Sequence, residues 1–266
     1  MFCYLFCILG ALATAGTALG FPLVQSATDL WKLPLLWLGF SFAFLLVYAL
    51  FALVVWLIFL PRKTVEKESR LCRFLLEYTL DVLMVLSRVK CRVIGREKLP
   101  AERFLMVSNH ISMYDPLASL AALRGTKVSY ISKPENFRIP IVNVFMRHCR
   151  FMAIDRDNPR NAMRTINEAA ALIQSGEASV GIYPEGTRSK NGELQEFRNG
   201  AFKIALKAKS PLVVLRVTNT NKVGRNFPWK RTVVTLEILR VFSYAELEGK
   251  STNEIGALVY DLMANA

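Results

Sequence analysis

Two residues able to move a proton, His110 and Asp115, lie five positions apart in the chain. The apolar run before them, Phe104–Val107, predicts a buried strand, and the apolar pattern after them predicts a helix. His110 is therefore expected in a strand-to-helix turn, where α/β sheets expose side chains at the carboxyl ends of their strands. Such a turn can bring Asp115 back onto the imidazole, which fixes the tautomer of the ring and leaves its other nitrogen to accept a proton. The pair is thus a candidate general base with an orienting carboxylate.

The same segment carries the signals of a helix start. Asp115 and Pro116 predict the N-cap and the first helical position, and Gly125 predicts the end of a helix over 116–124. In the alternative interpretation His110 is an ordinary turn residue and Asp115 is only a cap. That alternative is favoured for an isolated pair, because two residue types recur often by chance at a given spacing.

A second polar turn downstream changes this balance. The segment Tyr183–Arg188, with the sequence Tyr-Pro-Glu-Gly-Thr-Arg, follows another short apolar run that predicts a strand over 179–183. Two polar turns at the ends of two strands of one sheet can meet at a single site.

In the residues of these two turns, the chain resembles the glycerolipid acyltransferase family, and most closely its 1-acylglycerol-3-phosphate acyltransferases. The resemblance covers roughly residues 90 to 220. Its four blocks occur in the family's order: Asn109-His110 through Asp115; Phe151–Arg156, preceded by Lys133 and Glu135; Glu185–Arg188; and Pro211–Leu215. The chain departs from the family's pattern between Lys133 and the second block, where Asn143 and Cys149 stand at positions that usually hold glycine.

The resemblance implies transfer of a fatty acyl group from acyl-CoA or acyl-carrier protein to the sn-2 hydroxyl of lysophosphatidic acid. In that reaction His110 is the base and Asp115 its orienter, with no cofactor and no metal. A covalent route through Ser108 or Ser112 is less favoured, since neither lies in a G-x-S-x-G elbow. Two alternatives stay open: acylation of another lysolipid, and a non-catalytic membrane protein that binds anionic lipid.

The acceptor of such a reaction carries a phosphate, which assigns substrate-binding roles to several residues. Arg188 suits the phosphate because a guanidinium is permanently charged and donates two parallel hydrogen bonds. Arg156 and Lys133 are candidates to complete the clamp. Glu185 either binds the glycerol hydroxyl or braces the turn, and bracing is favoured. Backbone amides around Gly186 and Thr187 are candidates to stabilise charge on the thioester oxygen.

Composition bounds the partners and the compartment. Residues 1–60 contain only Asp29 and Lys32 as charged residues, so the net charge of +13 belongs to residues 61–266. This favours anionic partners such as phosphorylated substrates or an anionic membrane. Nucleic acid is not expected, because no recognised binding motif is present. The five cysteines lack both disulfide-framework and metal-ligand spacing, and the remaining histidine, His148, is expected to be structural or to face lipid.

Two uncharged runs, Phe2–Val24 and Pro34–Leu60, are each long enough to cross a bilayer. A signal peptide is disfavoured because no basic residue precedes the first run. Basic residues at 61–63 follow the second run and predict an integral protein of the cell membrane, with the next domain on the cytoplasmic side. The predicted domains are a transmembrane hairpin at 1–60, an amphipathic linker helix at 61–89 and a catalytic domain at 90–266. The linker helix either lies on lipid or packs on the domain.

From residue 90 onward, strands and helices alternate, which predicts an α/β fold with a mostly parallel or mixed sheet covered by helices. Two helices carry clear end signals: Asn158 and Pro159 before one, and a capping box of Ser251 and Glu254 before the other. Strands are predicted at 90–95, 103–107, 128–132, 151–154, 179–183, 212–217 and 232–242. Helices are predicted at 64–88, 116–124, 159–175, 200–208 and 252–264.

Overall fold

The structure, a computed structural model, describes residues 2–21, 24–26, 29–59, 65, 67–156, 158–189 and 192–266. The chain divides into two compact units, Met1–Lys63 and Thr64–Ala266. The α-helices are α1 (Phe2–Gly20), α2 (Lys32–Phe59), α3 (Arg70–Leu86), α4 (Tyr114–Ala122), α5 (Val142–His148), α6 (Pro159–Gln174), α7 (Lys203–Ala208), α8 (Val223–Asn226), α9 (Tyr244–Leu247) and α10 (Thr252–Ala264). The strands are β1 (Val89–Ile94), β2 (Leu105–Ser108), β3 (Val128–Ser132), β4 (Met152–Ala153), β5 (Ser179–Ile182), β6 (Leu212–Thr218) and β7 (Thr232–Phe242).

The first unit consists of two apolar helices that pack against each other. The indole nitrogen of Trp37 in α2 donates to the Cys7 carbonyl in α1 at 2.8 Å. Gly10 allows the close approach, since a Cβ there would collide with the Ser41 side chain. Among the described residues, one helix, Lys32–Ile58, is long and apolar enough to cross a membrane, while the apolar helix Leu5–Gly20 is shorter. A hairpin that spans the membrane twice stays a prediction, and the basic residues 61–63 lie outside the described part of the chain.

The second unit is an α/β domain built on a 7-stranded sheet with the order β1-β7-β6-β2-β5-β3-β4. All neighbouring strands are parallel except β6 and β7, which are antiparallel. The prediction of a mostly parallel, mixed sheet is confirmed. The antiparallel contact arises because only α8 and a short loop connect β6 to β7, and such a short connection returns the chain in the opposite direction.

Helices cover both faces of the sheet. Successive side chains of β2 point to opposite faces and therefore pack in different core clusters. Leu105 and Val107 join a core cluster with α6, α7 and α10, whereas Met106 joins a second cluster with α3 and α4. β2 is buried on both sides, as its continuous apolar sequence indicates.

Helix α3 packs on the domain. Leu80 and Met84 lie in the second core cluster, and the buried guanidinium of Arg73 donates to the Val128 carbonyl at 2.8 Å and the Cys149 carbonyl at 3.1 Å. Of the two predicted arrangements, the structure therefore shows packing on the domain. Contact of the opposite, partly exposed face with lipid stays a prediction.

Candidate active site

The two polar turns predicted from the sequence meet at one edge of the sheet. His110 follows β2, and Glu185 follows β5, the strand paired in parallel with β2. β6, on the other side of β2, is also parallel to it and ends at Thr218. The carboxyl ends of these three strands therefore lie side by side, and the residues just beyond them build the site.

Asn109 fixes the start of the turn that carries His110. Its side-chain amide donates to the Val217 carbonyl at 2.9 Å and accepts from the Val217 amide at 2.8 Å. The side chain thus extends the pairing of β2 with β6 beyond the end of β2. The backbone that carries His110 is consequently tied to the middle of the sheet.

The expected contact between His110 and Asp115 is present, with 2.8 Å between imidazole Nδ1 and carboxylate Oδ2. A carboxylate at Nδ1 accepts the Nδ1 proton, so the tautomer that fits leaves a lone pair on Nε2. No side chain among residues 67–156, 158–189 and 192–266 hydrogen bonds to Nε2. The histidine side chain retains 19% of its accessible surface, whereas the aspartate side chain is fully buried. The imidazole can therefore receive a proton from a bound hydroxyl.

Asp115 is not the N-cap that the sequence predicted. Helix α4 begins at Tyr114, the residue before Asp115, and Met113 is its N-cap. The carboxylate accepts from the Ile111 and Ser112 amides, both at 2.8 Å and both upstream of the helix. Asp115 thus closes the preceding turn around His110 instead of capping the helix that follows.

Thr220, 105 residues away in the chain, completes the surroundings of this carboxylate. Its buried hydroxyl donates to Asp115 Oδ1, the oxygen that His110 does not use. Thr220 lies just beyond β6 and reaches Asp115 because β6 is the neighbour of β2.

An aromatic stack supports the imidazole from one face. The Tyr183 ring lies 4.2 Å from the His110 ring with 19° between their planes, and Tyr130 stacks behind Tyr183 at 5.6 Å. Burial raises the pKa of Tyr130 to about 12 and that of Tyr183 well above its usual value, so both phenols stay neutral. The stack therefore restricts the ring of His110 without adding charge beside it.

Glu185 braces the two turns, as favoured from the sequence. Its Oε1 accepts from the His110 amide at 2.6 Å, and its Oε2 accepts from the Gln195 amide at 3.1 Å. Burial raises the pKa of this carboxyl, while the two amide hydrogen bonds act in the opposite direction. The Ser189 amide donates a hydrogen bond to the His110 carbonyl at 2.8 Å. Both the amide and the carbonyl of His110 are therefore hydrogen-bonded to the second turn.

Two arginines converge on Gly186, whose φ of +77° favours glycine. A Cβ at this position would lie 3.1 Å from Arg198 Nε and 3.5 Å from Arg156 Nη1. Two guanidinium groups thus lie beside one turn, close to the His110 pair.

The other residues predicted from the sequence differ in their exposure and hydrogen bonds. The side chains of Arg188 and Lys133 are exposed and form no hydrogen bond or ion pair with the described residues. Thr187 bonds to the side chain of Gln195 at 2.9 Å. His148 is buried at the end of α5, where its carbonyl accepts from Ser69. The described residues contain no group of three or more His, Cys, Asp or Glu side chains that could hold a metal ion.

Comparison with known proteins connects this geometry to a family. Residues 90–218 match the family model described as Acyltransferase, and this range includes both polar turns. Residues 90–218 are therefore similar to this family.

Two curated relatives are named 1-acyl-sn-glycerol-3-phosphate acyltransferase. The chloroplastic BAT2 protein of Brassica napus is 36% identical over 136 residues, which are 50% of this chain and 39% of that protein. The protein of Borreliella burgdorferi is 29% identical over 153 residues, 57% of this chain and 60% of its own length. The chain thus spans less than two thirds of the length of these relatives.

A solved structure shares the fold of this chain. The 1-acyl-sn-glycerophosphate acyltransferase PlsC from Thermotoga maritima superposes with a TM-score of 0.59 at 22% sequence identity. The match covers 82% of this chain and 86% of that one. At this identity the likeness establishes the α/β architecture and not the substrate.

Sequence reasoning missed three residues of this candidate site: Arg198, Thr220 and the stacking role of Tyr183. Tyr183 belongs to the second polar turn, and its position directly after an apolar run is a usable signal. Nothing in the sequence links Thr220 to Asp115, because their contact depends on the strand order. Arg198 belongs to a chain with 34 Lys and Arg residues, most of which must lie on the surface.

Proposed function

We propose that the protein transfers a fatty acyl group from an acyl thioester to the sn-2 hydroxyl of 1-acylglycerol-3-phosphate, giving phosphatidic acid. The observation that carries this proposal is the 2.8 Å contact between His110 Nδ1 and Asp115 Oδ2, with Nε2 left to accept a proton. The family match and the names of the two relatives support the substrate class.

His110 acts as a general base on the acceptor. Nε2 takes the proton of the sn-2 hydroxyl as its oxygen attacks the thioester carbonyl, and Asp115 stabilises the imidazolium that forms. The carbon–sulfur bond then breaks, the proton passes from Nε2 to the departing thiolate, and an ester and a thiol result. The donor carrier is coenzyme A or acyl-carrier protein.

A direct attack fits the surroundings of the two serines. The Ser108 hydroxyl is buried and donates to the Asn109 carbonyl at 3.2 Å, and the Ser112 hydroxyl accepts from the Tyr114 amide at 3.2 Å. Neither hydroxyl bonds to the imidazole among the described residues. The base is therefore free for the substrate hydroxyl.

The acceptor phosphate is assigned to the basic residues at the same edge of the sheet. Arg156 and Arg198 meet beside Gly186, and Arg188 follows in the same turn with an exposed guanidinium. Lys133, directly after β3, is the fourth cation of this proposed clamp. The protein is proposed to be integral to the cell membrane, anchored by α1 and α2, with the acyltransferase domain on the cytoplasmic side.

The test is an assay of the purified full chain with labelled acyl-CoA or acyl-carrier protein against a panel of lysolipids. Lysophosphatidic acid is expected to be the preferred acceptor. His110→Ala should remove nearly all turnover because no other base replaces Nε2, whereas Arg92→Ala, on the exposed edge strand β1, should retain it. Turnover of His110→Ala within a few-fold of the wild type would overturn the mechanism. Preference for another lysolipid would replace the acceptor and leave the mechanism in place.

A further inference from the structure

A loop just beyond the site combines exposed aromatic and basic side chains. In the 222–231 loop, Phe227 retains 50% and Trp229 retains 85% of its accessible surface. The loop has four exposed basic residues that form no ion pair with the described residues. They are Lys222, Arg225, Lys230 and Arg231. No acidic residue occurs anywhere in 211–236. The loop therefore carries only positive formal charges around two exposed aromatic rings.

The base of the loop is held in place. Val223 is buried in the core cluster shared with α3 and α4. The Lys230 amide donates to the Asn226 carbonyl at 2.7 Å, and the Asn226 side chain donates to Thr232 Oγ1 at 2.9 Å. The aromatic rings are thus presented by a closed, hydrogen-bonded loop.

The loop also begins at the candidate active site. Thr220, whose hydroxyl bonds to Asp115, lies two residues before Lys222. Since β6 leads into this loop, the aromatic side chains belong to the same edge of the sheet as His110.

We propose that the 222–231 loop docks the acyltransferase domain on the anionic headgroup region of a lipid bilayer. Tryptophan suits this environment because its indole has an apolar body and a polar N–H, and basic residues near it are attracted to anionic lipid. The choice of a lipid surface rests on the proposed function, since its acceptor and product both reside in lipid. Docking places the edge that carries His110 against the membrane that supplies the acceptor.

Trp229 itself reports on this docking. In the full chain, Trp31, Trp37 and Trp56 are replaced by Phe, so that Trp229 is the remaining tryptophan, and the protein is reconstituted into vesicles containing brominated lipid. In vesicles with phosphatidylglycerol we expect Trp229 emission at shorter wavelength and quenched by bromine. With phosphatidylcholine alone, or at high salt, quenching should be weaker because the headgroup attraction is absent or screened.

A matched control uses Leu258 of α10, which is 44% exposed. Leu258→Trp in a chain whose other tryptophans are all Phe should stay unquenched in the same vesicles. Unquenched, solvent-like emission from Trp229 in an active enzyme would overturn the docking proposal alone. Quenched Trp229 in a protein that does not acylate lysophosphatidic acid would instead overturn the proposed function.

Activity measurements separate docking from other roles of the loop. Replacing Phe227 and Trp229 by Ser, or the four cations by Gln, should lower kcat/KM five- to tenfold for acceptor in phosphatidylglycerol vesicles. With a short-chain acceptor below its critical micelle concentration, the loop variants should have the same kcat/KM as the wild type. An equal loss with the short-chain acceptor would overturn docking and assign the loop to the catalytic site. Binding of a single-stranded oligonucleotide that the Gln variant loses, with no change in lipid quenching, would assign the surface to nucleic acid.

Discussion

The carboxylate of Asp115 shows how a single residue organises the site. It is fully buried, which is costly for a charged group unless hydrogen bonds compensate. Its donors are the His110 ring, the amides of Ile111 and Ser112, and the Thr220 hydroxyl. Because the two oxygens are held from different directions, the carboxylate cannot rotate away from the imidazole. The orientation of His110 therefore depends on Thr220 as well as on Asp115.

Thr220→Val tests this dependence, since it removes the hydroxyl and nearly keeps the shape. A hydrogen bond to a charged group contributes about 1.5–3 kcal/mol, so kcat should fall at least tenfold while the KM values stay close to the wild type. Thr220→Ser should restore most of the activity. In an Asp115→Asn background the Val substitution should add little, because the two residues act as one unit. Steady-state kinetics of Thr220→Val, Thr220→Ser, Asp115→Asn and the double variant test this expectation. If the losses in activation free energy from Thr220→Val and Asp115→Asn were fully additive, Thr220 would not act through Asp115.

The arginine cluster makes a different prediction, about the acceptor. Loss of a charge-assisted contact costs about 1.5–3 kcal/mol, which is roughly ten- to a hundredfold in binding. Arg188→Ala and Arg198→Ala should each raise the KM for lysophosphatidic acid by a factor in this range, with the KM of the donor unchanged. Lysine at either position should recover only part of the loss, because it lacks the planar fork. A rise in the donor's KM alone would mean that the arginine contacts the donor.

At the scale of elements, strands were more predictable from the sequence than helix starts. The central strand β2 is a short apolar run, and β5 and β6 occur where such runs predict them. Helix α5 was missed because its N-cap residue, Ile141, makes no side-chain hydrogen bond and leaves no capping signal. The error at Asp115 has a related cause. A carboxylate before an apolar helical pattern predicts a cap, but here its hydrogen bonds run backward to the turn.

Glu185 ties two such elements together, and its charge makes the connection depend on pH. Each of its oxygens accepts one backbone amide, so Glu185→Gln leaves one amide without an acceptor, at a cost of about 1–3 kcal/mol. The melting temperature should fall, and kcat should fall with it, because the backbone of His110 loses its support. The nearby exposed Glu196 provides the control, and Glu196→Gln should change neither.

The direction of the pH effect follows from the raised pKa of Glu185. The folded protein holds this proton to higher pH than the unfolded chain, where the carboxyl has its ordinary value near 4.5. The group's contribution to the free energy of unfolding therefore declines as pH rises from about 4.5 through the folded pKa. Thermal melts across this range should show the gap between wild type and Glu185→Gln narrowing with rising pH. A gap that widens instead would mean that the carboxylate form is the more stable one in the fold.

At the scale of the whole molecule, the order of the strands was beyond the reach of the sequence. The parallel or antiparallel character follows from the lengths of the connections, but β7 lies between β1 and β6, and no local pattern indicates that arrangement. The His110–Asp115 pair was predictable because it is local. Thr220 was not, because its part in the site depends on which strand neighbours β2.

The division of charge along the chain leads to the prediction for the whole molecule. Residues 1–60 contain one acidic and one basic residue, while the remainder carries the net charge of +13. Helix α2, with 28 residues, is long enough to span a bilayer, and α1, with 19, is close to the minimum of roughly 17–20. If both span, we expect the segment around Asp29 to lie outside, and the N-terminus and the α/β domain both to face the cytoplasm.

Labelling in a cysteine-free full chain tests this arrangement. A membrane-impermeant thiol reagent applied to intact cells should label Asp29→Cys, whereas Glu196→Cys should react only after the membrane is opened. A peptide tag placed before Met1 should be protected from a protease added outside the cells, because the N-terminus is predicted to lie in the cytoplasm. A tag cleaved from outside, with Asp29→Cys still labelled there, would mean that α2 crosses the membrane and α1 does not. Reaction of Glu196→Cys in intact cells would place the α/β domain outside and contradict the predicted cytoplasmic side.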